Sequence, residues 1–318
     1  MKSLGTRILF MGTPDYAVPS LIALAGRYTI VGVITQPDRP AGRGRKVRFS
    51  PVKNVALERD LPIFQPKSLR AQQALDRISS WAPDVIVTAA IGHILTADVL
   101  AIPTRGTVNV HASLLPRWRG GAPIQAALLA GDMETGVTIM CTDEGMDTGP
   151  IISQRAVVVE PRETAATLHD RLAQLGAELL LETLPRWLSG DLTPQPQPTS
   201  GVTTAPLVRK EDGLINWRQT ARYIDRHVRA YTPWPGAYTF WGRNRIIVTE
   251  AWPLPDIATD AQHVCGTVSQ HDQCPAVVTG DGLLRLDGLQ MAGKRATSGS
   301  DFVRGHPDFI GARLESAE

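Results

Sequence analysis

Asn109 and His111, two residues apart in the run Thr107-Val108-Asn109-Val110-His111, and Asp147, in Gly145-Met146-Asp147-Thr148-Gly149-Pro150, are the residues whose types and spacing suit chemistry. In an extended segment residues two apart share a face, so Asn109 and His111 point one way while Val108 and Val110 pack the other. A neutral imidazole accepts a proton from an attacking nucleophile near physiological pH. An amide donor beside it holds a carbonyl oxygen as that oxygen gains negative charge, an interaction typically worth about 3 to 4 kcal/mol of barrier. A carboxylate touching the imidazole would fix its tautomer and favour its charged form. Together the three describe acyl transfer through a tetrahedral intermediate. No serine or cysteine is placed as an obvious covalent nucleophile, so direct attack by an amine is the simpler chemistry. Spacing alone leaves a plainer alternative open, because an Asn-x-His pair on a strand is more often structural and an Asp in a Gly-rich loop is usually a turn residue.

The elements that must position these residues read as an α/β pattern. Apolar runs at Ile8–Met11, Ile30–Ile34, Val85–Ala89, Thr107–His111 and Val137–Met140 have strand length and are separated by helical candidates. This order predicts a doubly wound, mostly parallel sheet, whose ligands sit in the crevice beyond the carboxyl ends of its strands. His111 closes one of those runs, and Asp147 follows another. Ser50 is placed to cap a helix opening at Pro51, and Pro123 to open one through Ala130. Leu168, Leu172, Leu175, Leu179 and Leu180 follow helical spacing and predict a core-facing helix between Thr164 and Leu188. Gly12-Thr13-Pro14 lacks the rest of a GxGxxG phosphate turn, so a packing turn is expected there rather than a dinucleotide site.

A boundary is expected where proline and polar residues replace any periodicity. Residues 1–189 form the first domain on this reading, 190–206 a semi-extended linker and 207–318 a second domain. In the last, Tyr238–Trp241, Arg245–Val248, Cys265–Val268, Ala276–Thr279 and Leu283–Leu286 are short strand-like runs, which predict a small β-barrel or sandwich. Trp234, flanked by Pro233 and Pro235, is expected to anchor its core.

A chain of 318 residues with a formal net charge of +2 has room for two cores and no overall charge that announces a nucleic-acid partner. Distribution matters more. Arg39, Arg43, Arg45, Lys46 and Arg48 crowd one loop-like segment with no carboxylate after Asp38. By composition such a segment is usually a solvated turn. Its glycines, Gly42 and Gly44, would also let backbone approach a ligand, with the arginines pairing to phosphates or stacking on unpaired bases. Cys141, Cys265 and Cys274 are odd in number and show no metal-ligand spacing, which argues against a disulfide framework or structural zinc. The apolar run Ile8-Leu9-Phe10-Met11 is too short for a signal peptide and no segment approaches bilayer length, so a cytoplasmic location is expected.

Asn109 to Pro123, reading NVHASLLPRWRGGAP, resembles the signature of the folate-dependent formyltransferase family. The continuation IQAALLAGDMETGVTIMCTDEGMDTGPII extends the likeness to the branch acting on methionyl-tRNA. RILFMGTPDYA from Arg7, QPDRPAGRGRK from Gln36, KEDGLINW from Lys210, RAYTPWPGAY from Arg229 and GLQMAGKR from Gly288 carry it over nearly the whole chain. The resemblance implies a Rossmann-like first domain and an OB-like β-barrel as the second. It implies Asn109, His111 and Asp147 as the catalytic trio, and formyl transfer from 10-formyltetrahydrofolate to the α-amino group of methionyl initiator tRNA. Folate would be a cosubstrate, with no metal and no obligate protein partner. Ser113, Leu114, Leu115 and Pro116 would belong to the folate-binding loop, Ile91 and Gly92 to the pterin pocket, and Arg39, Arg43, Arg45 and Lys46 to the tRNA contact. The chain departs from the family pattern at Ile91 and Thr96, where an aromatic residue and a proline are common. The rivals are a formyltransferase for another amine, such as a glycinamide ribonucleotide or amino sugar, a 10-formyltetrahydrofolate hydrolase, and a catalytically silent tRNA-binding protein.

Overall fold

The computed structural model describes residues 5–41, 46–255, 257 and 264–317. The chain divides into two compact units, one of Met1–Pro123, Glu134–Val158 and His169–Ala205, the other of Ile124–Met133, Val159–Leu168 and Pro206–Glu318.

The first unit is built on β1 (Arg7–Gly12), α1 (Val18–Ala25), β2 (Thr29–Ile34), β3 (Arg39–Ala41), β4 (Lys46–Arg48), α2 (Pro51–Glu58), β5 (Ile63–Phe64), α3 (Gln72–Ser80), β6 (Val85–Ala89), α4 (Ala97–Leu100), β7 (Thr107–His111) and β8 (Arg119–Gly120). Helix α5 (Pro123–Ala130), which from Ile124 on belongs to the second unit, leads on to β9 (Glu134–Cys141), β10 (Ile151–Val158), α6 (Ala165–Leu188), whose residues up to Leu168 also belong to the second unit, and β11 (Thr204–Ala205). Seven strands form one sheet in the order β10-β9-β7-β6-β1-β2-β5. The ladders from β5 through β7 are parallel, and β9 then pairs antiparallel with both β7 and β10. Every residue of β6, and all but the first of β1 and β2, is buried, as parallel strands covered on both faces require. Leu9, Met11, Ile34, Ile78, Trp81 and Ile86 share one core cluster. Gly32 admits the Trp81 ring there, since a Cβ would lie 2.6 Å from it.

Local signals match the elements they predicted. The Ser50 hydroxyl accepts from the Lys53 backbone N–H at 3.1 Å, capping α2 with Pro51 in its first turn. Along α6, Leu168, Leu172, Leu179 and Leu180 are buried and Leu175 half-buried. The basic segment differs from a simple loop in that its described ends pair as an antiparallel ribbon, Arg39 opposite Arg48 and Ala41 opposite Lys46. Residues 190–206 run without a helix, ending in the parallel pairing of β11 with β8.

In the second unit α7 (Ala221–Ala230) precedes β12 (Ala237–Trp241), β13 (Asn244–Leu254), β14 (Val268–His271), β15 (Cys274–Val278), β16 (Leu283–Met291), β17 (Thr297–Ser298) and α8 (Gly299–Gly305). The strands form an antiparallel sheet in the order β12-β13-β16-β15-β14, with β17 on β16. The predicted run Cys265–Val268 starts a strand only at Val268. Gly266 has φ +89°, outside extended space, and bonds instead from its N–H to the Val278 carbonyl at 2.8 Å. Trp217, not Trp234, anchors this core. Trp217 is fully buried and its indole N–H donates to the Thr239 hydroxyl at 3.2 Å, whereas Trp234 is 52% exposed. The flanking sequence of Trp234 carries no sign of which side its ring takes.

Candidate active site

The carboxyl ends of β6 and β7 and the loop after β9 enclose a cavity of about 310 Å³. Its apolar wall comes from Ile91, Ile94, Leu95, Met140 and Met146, and its polar wall from Thr88, Asn109, Asp143 and Asp147. A volume and lining of this kind suit a small organic ligand held by a few fixed polar groups. The turn after β6 is shaped by Ala90 at φ +44° and Gly92 at φ +68°. Two side chains brace it with three hydrogen bonds: the Thr13 hydroxyl reaches the Ile91 carbonyl at 3.3 Å, and the Gln36 amide reaches the Ile91 and Gly92 carbonyls at 3.4 and 3.1 Å.

Asn109, His111 and Asp147 meet at this cavity's edge. The Thr88 hydroxyl donates to Asn109 Oδ1 at 2.8 Å, which orients the amide, and Asn109 Nδ2 donates to Asp147 Oδ1 at 3.3 Å. His111 Nδ1 lies 3.5 Å from the same oxygen. The other carboxylate oxygen accepts from the Gly120 N–H at 2.9 Å. Asp147 itself holds φ +54°, a left-handed conformation open to Asp at modest cost. His111 is 6% exposed. Its Nε2 lies 2.9 Å from the Trp118 carbonyl oxygen, and because a carbonyl only accepts, Nε2 carries the hydrogen. The tautomer is therefore set by Trp118, and the basic nitrogen of the neutral ring is Nδ1, beside the Asp147 carboxylate. This differs from the expectation that the carboxylate sets the tautomer.

Other expected site residues are placed differently from one another. Ile91 lines the cavity, with Gly92 in the braced turn next to it. Ser113 to Pro116 are not among the cavity's lining residues. They are tied instead to β9 and β10. Thr138 Oγ1 donates to the Ser113 carbonyl at 2.6 Å and accepts from the Leu115 N–H at 3.1 Å, and the Gln154 amide donates to the Leu115 carbonyl at 2.8 Å. Arg39 is exposed on β3, the backbone of Lys46 lies in β4, and Arg43 and Arg45 lie outside the described residues. Asp38, at the base of this ribbon, pairs with Lys53 and accepts from Gln65 at 2.9 Å, and these bonds, Gln65's first, hold its carboxyl below the usual range.

Contributors with no expected role include Thr88, the Trp118 carbonyl and the Gly120 N–H, with Thr13 and Gln36 behind the turn after β6. Thr88 was detectable as a lone hydroxyl inside the apolar run Val85–Ala89. Backbone groups leave no trace in side-chain pattern. His93 also lines the cavity, where burial lowers its pKa, with Nε2 enclosed and without a hydrogen-bond partner among the described residues. Burial pushes the nearby Cys141 thiol up to about 11, which makes it a poor nucleophile at neutral pH. Among the described residues, no group of three or more His, Cys, Asp or Glu is placed to hold a metal ion.

Comparison with known proteins narrows the chemistry. Residues 6–184 match the formyl transferase family model and 207–307 that of the formyl transferase C-terminal domain. The methionyl-tRNA formyltransferase of Myxococcus xanthus is 46% identical over 301 residues, covering 94% of this chain and 95% of its own. That of Magnetococcus marinus is 45% identical over 313 residues, covering 97% and 98%. A solved N-formyltransferase from Helicobacter canadensis, in complex with folinic acid and dTDP-3-aminofucose, shares the fold with a TM-score of 0.65 at 16% identity, over 92% of this chain and all of its own.

Proposed function

The chain belongs to the formyl transferase family, and from that premise we propose that it transfers the formyl group of 10-formyltetrahydrofolate to the α-amino group of methionyl initiator tRNA, giving N-formylmethionyl-tRNA for translation initiation. The near full-length identity to relatives named methionyl-tRNA formyltransferase supports the substrate. The observation that carries the chemistry is the convergence of Asn109 Nδ2 and His111 Nδ1 on one oxygen of Asp147 at the rim of an apolar cavity.

Each residue's task follows from its bonds. The apolar wall of Ile91, Ile94 and Leu95 suits a flat heteroaromatic ring, with the Asp143 carboxylate on the polar wall offering an acceptor for its N–H groups. The acceptor amine attacks the formyl carbon. Asn109, its amide held by Thr88, donates to the formyl oxygen as negative charge develops there. His111 Nδ1 takes the amine proton and Asp147 stabilises the imidazolium. As the new amide bond forms and the bond from carbon to the folate nitrogen breaks, that proton passes to the departing nitrogen. The enzyme ends in its starting protonation state. The exposed Arg39 and the neighbouring Arg43, Arg45 and Lys46 supply charge for tRNA phosphates. A cytoplasmic setting accords with that substrate.

A labelling assay with 10-formyltetrahydrofolate and, in parallel, initiator Met-tRNA, elongator Met-tRNA or no acceptor tests the reading. Selective labelling of the initiator species is expected. Folate turnover without an acceptor would indicate a hydrolase instead, and tRNA binding without turnover a silent binding protein.

A further inference from the structure

We propose that Gln197, in the segment between the two family-matched regions, is a positioning residue for formyl transfer, holding Asp147 and the loop that contacts His111 in one arrangement. The inference rests on the function proposed above. Gln197 Nε2 donates to the carbonyl of Asp147 at 2.7 Å and to that of Gly149 at 2.8 Å. Its Oε1 accepts from Arg119 Nε at 3.0 Å and from the Arg119 terminal nitrogen at 2.7 Å. Both amide hydrogens and both lone pairs are thereby used, so the amide has a single orientation.

Arg119 sits between the backbone groups that address the catalytic pair. The Trp118 carbonyl accepts from His111, and the Gly120 N–H donates to Asp147. The segment carrying Gln197 is laced to the same loop. The Trp118 N–H donates to the Thr203 hydroxyl at 2.8 Å, the Arg119 N–H to the Thr203 carbonyl at 2.9 Å, and β11 pairs with β8. Gly120 permits this closeness, since a Cβ there would lie 2.7 Å from the Ala205 carbonyl oxygen. One side chain thus ties the backbone of Asp147, which holds a sparsely populated φ of +54°, to the loop whose Trp118 carbonyl fixes His111. Misplacing reacting groups by about 1 Å costs on the order of 100-fold in rate, so the effect belongs in turnover rather than in binding.

The test compares Gln197→Met, which keeps the length and removes every bond, with Gln197→Glu, which keeps the acceptor for Arg119 but turns a carboxylate oxygen toward two carbonyls. Steady-state kinetics on initiator Met-tRNA and 10-formyltetrahydrofolate are read beside melting temperature and far-UV circular dichroism. Expected is a kcat loss of roughly 10- to 100-fold in both variants, with each KM within about two-fold of wild type. If Gln197→Met fails to fold, Gln197→Glu decides, because its ion pair with Arg119 retains the lacing. Wild-type kcat in a folded variant, or a raised KM at unchanged kcat, overturns the positioning role. Absence of turnover by the wild-type enzyme would overturn the function itself and this inference with it, so the two failures are distinguishable.

Discussion

At the scale of single residues, the arrangement around His111 makes distinct demands on each neighbour. Replacing His111 with alanine removes the proposed proton acceptor and is expected to lower kcat by roughly 100- to 10,000-fold while tRNA binding persists in a filter assay. Wild-type turnover in that variant would remove His111 from the mechanism. Asn109→Ala is expected to lose about 100- to 1,000-fold in kcat, and Thr88→Val a smaller part of it, because the amide remains but loses the bond that orients it. His227, remote in sequence from this chemistry, governs stability rather than rate. It is buried, Nε2 donates to the Asp212 carbonyl at 2.8 Å, and Nδ1 has no hydrogen-bond partner among the described residues. Burial therefore lowers its pKa. The unfolded chain binds a proton below about pH 6.5 that the folded chain resists. Its contribution to stability is complete above that pH and lost as pH falls through and below it. Denaturant midpoints measured from pH 7.5 to 5 should fall, and the fall should be shallower in His227→Gln. An equally steep fall would assign the slope to other groups.

At the scale of elements, caps and core anchors set how firmly the site is held. The Ser50 cap of α2 lies two residues beyond Arg48 at the end of the basic ribbon, and its hydroxyl also bonds Thr35 at 2.8 Å. Ser50→Ala is expected to cost about 1 kcal/mol, read as a lower denaturation midpoint with unchanged kcat. In the second unit, Trp217 packs among Ile224, Val248, Leu286 and Phe309. Trp217→Ala there is expected to cost about 3 to 5 kcal/mol, whereas the same change at the half-exposed Trp234 should cost far less. A reversed ranking in thermal melts would contradict the assignment of the core.

At the scale of the whole molecule, the charge proposed to meet tRNA is local. The net charge is only +2, so attraction to a polyanion has to come from clusters such as the basic segment between Asp38 and Ser50. Binding of initiator tRNA should weaken steeply with salt, and Arg43→Ala should reduce the slope of log affinity against log salt by about 1. Its turnover defect should appear chiefly toward tRNA, and kinetics unchanged from wild type would exclude the role. No helix among the described residues is long and apolar enough to cross a membrane.

What the sequence determined by itself was set by local periodicity and by side-chain type. Apolar runs of strand length and stripes with helical spacing are encoded within a few residues, which is why β1, β2, β6, β7, the cap at Ser50 and the long helix α6 were legible. The types and spacing of Asn109 and His111, with Asp147 in a glycine-bounded loop, suited acyl chemistry but left a structural role open, and the family signature around them narrowed the choice. Tertiary structure alone decided the rest. Whether Trp217 or Trp234 is buried depends on which ring the sheet covers, and sequence pattern treats the two alike. The nitrogen of His111 that carries the hydrogen depends on the Trp118 carbonyl, a backbone group every residue possesses. The bonds from Gln197 to Asp147 and Gly149 join positions 50 and 48 residues apart. Such contacts are made by chain crossings beyond the reach of local spacing, so only the folded sheet and the segment laced across its end bring them together.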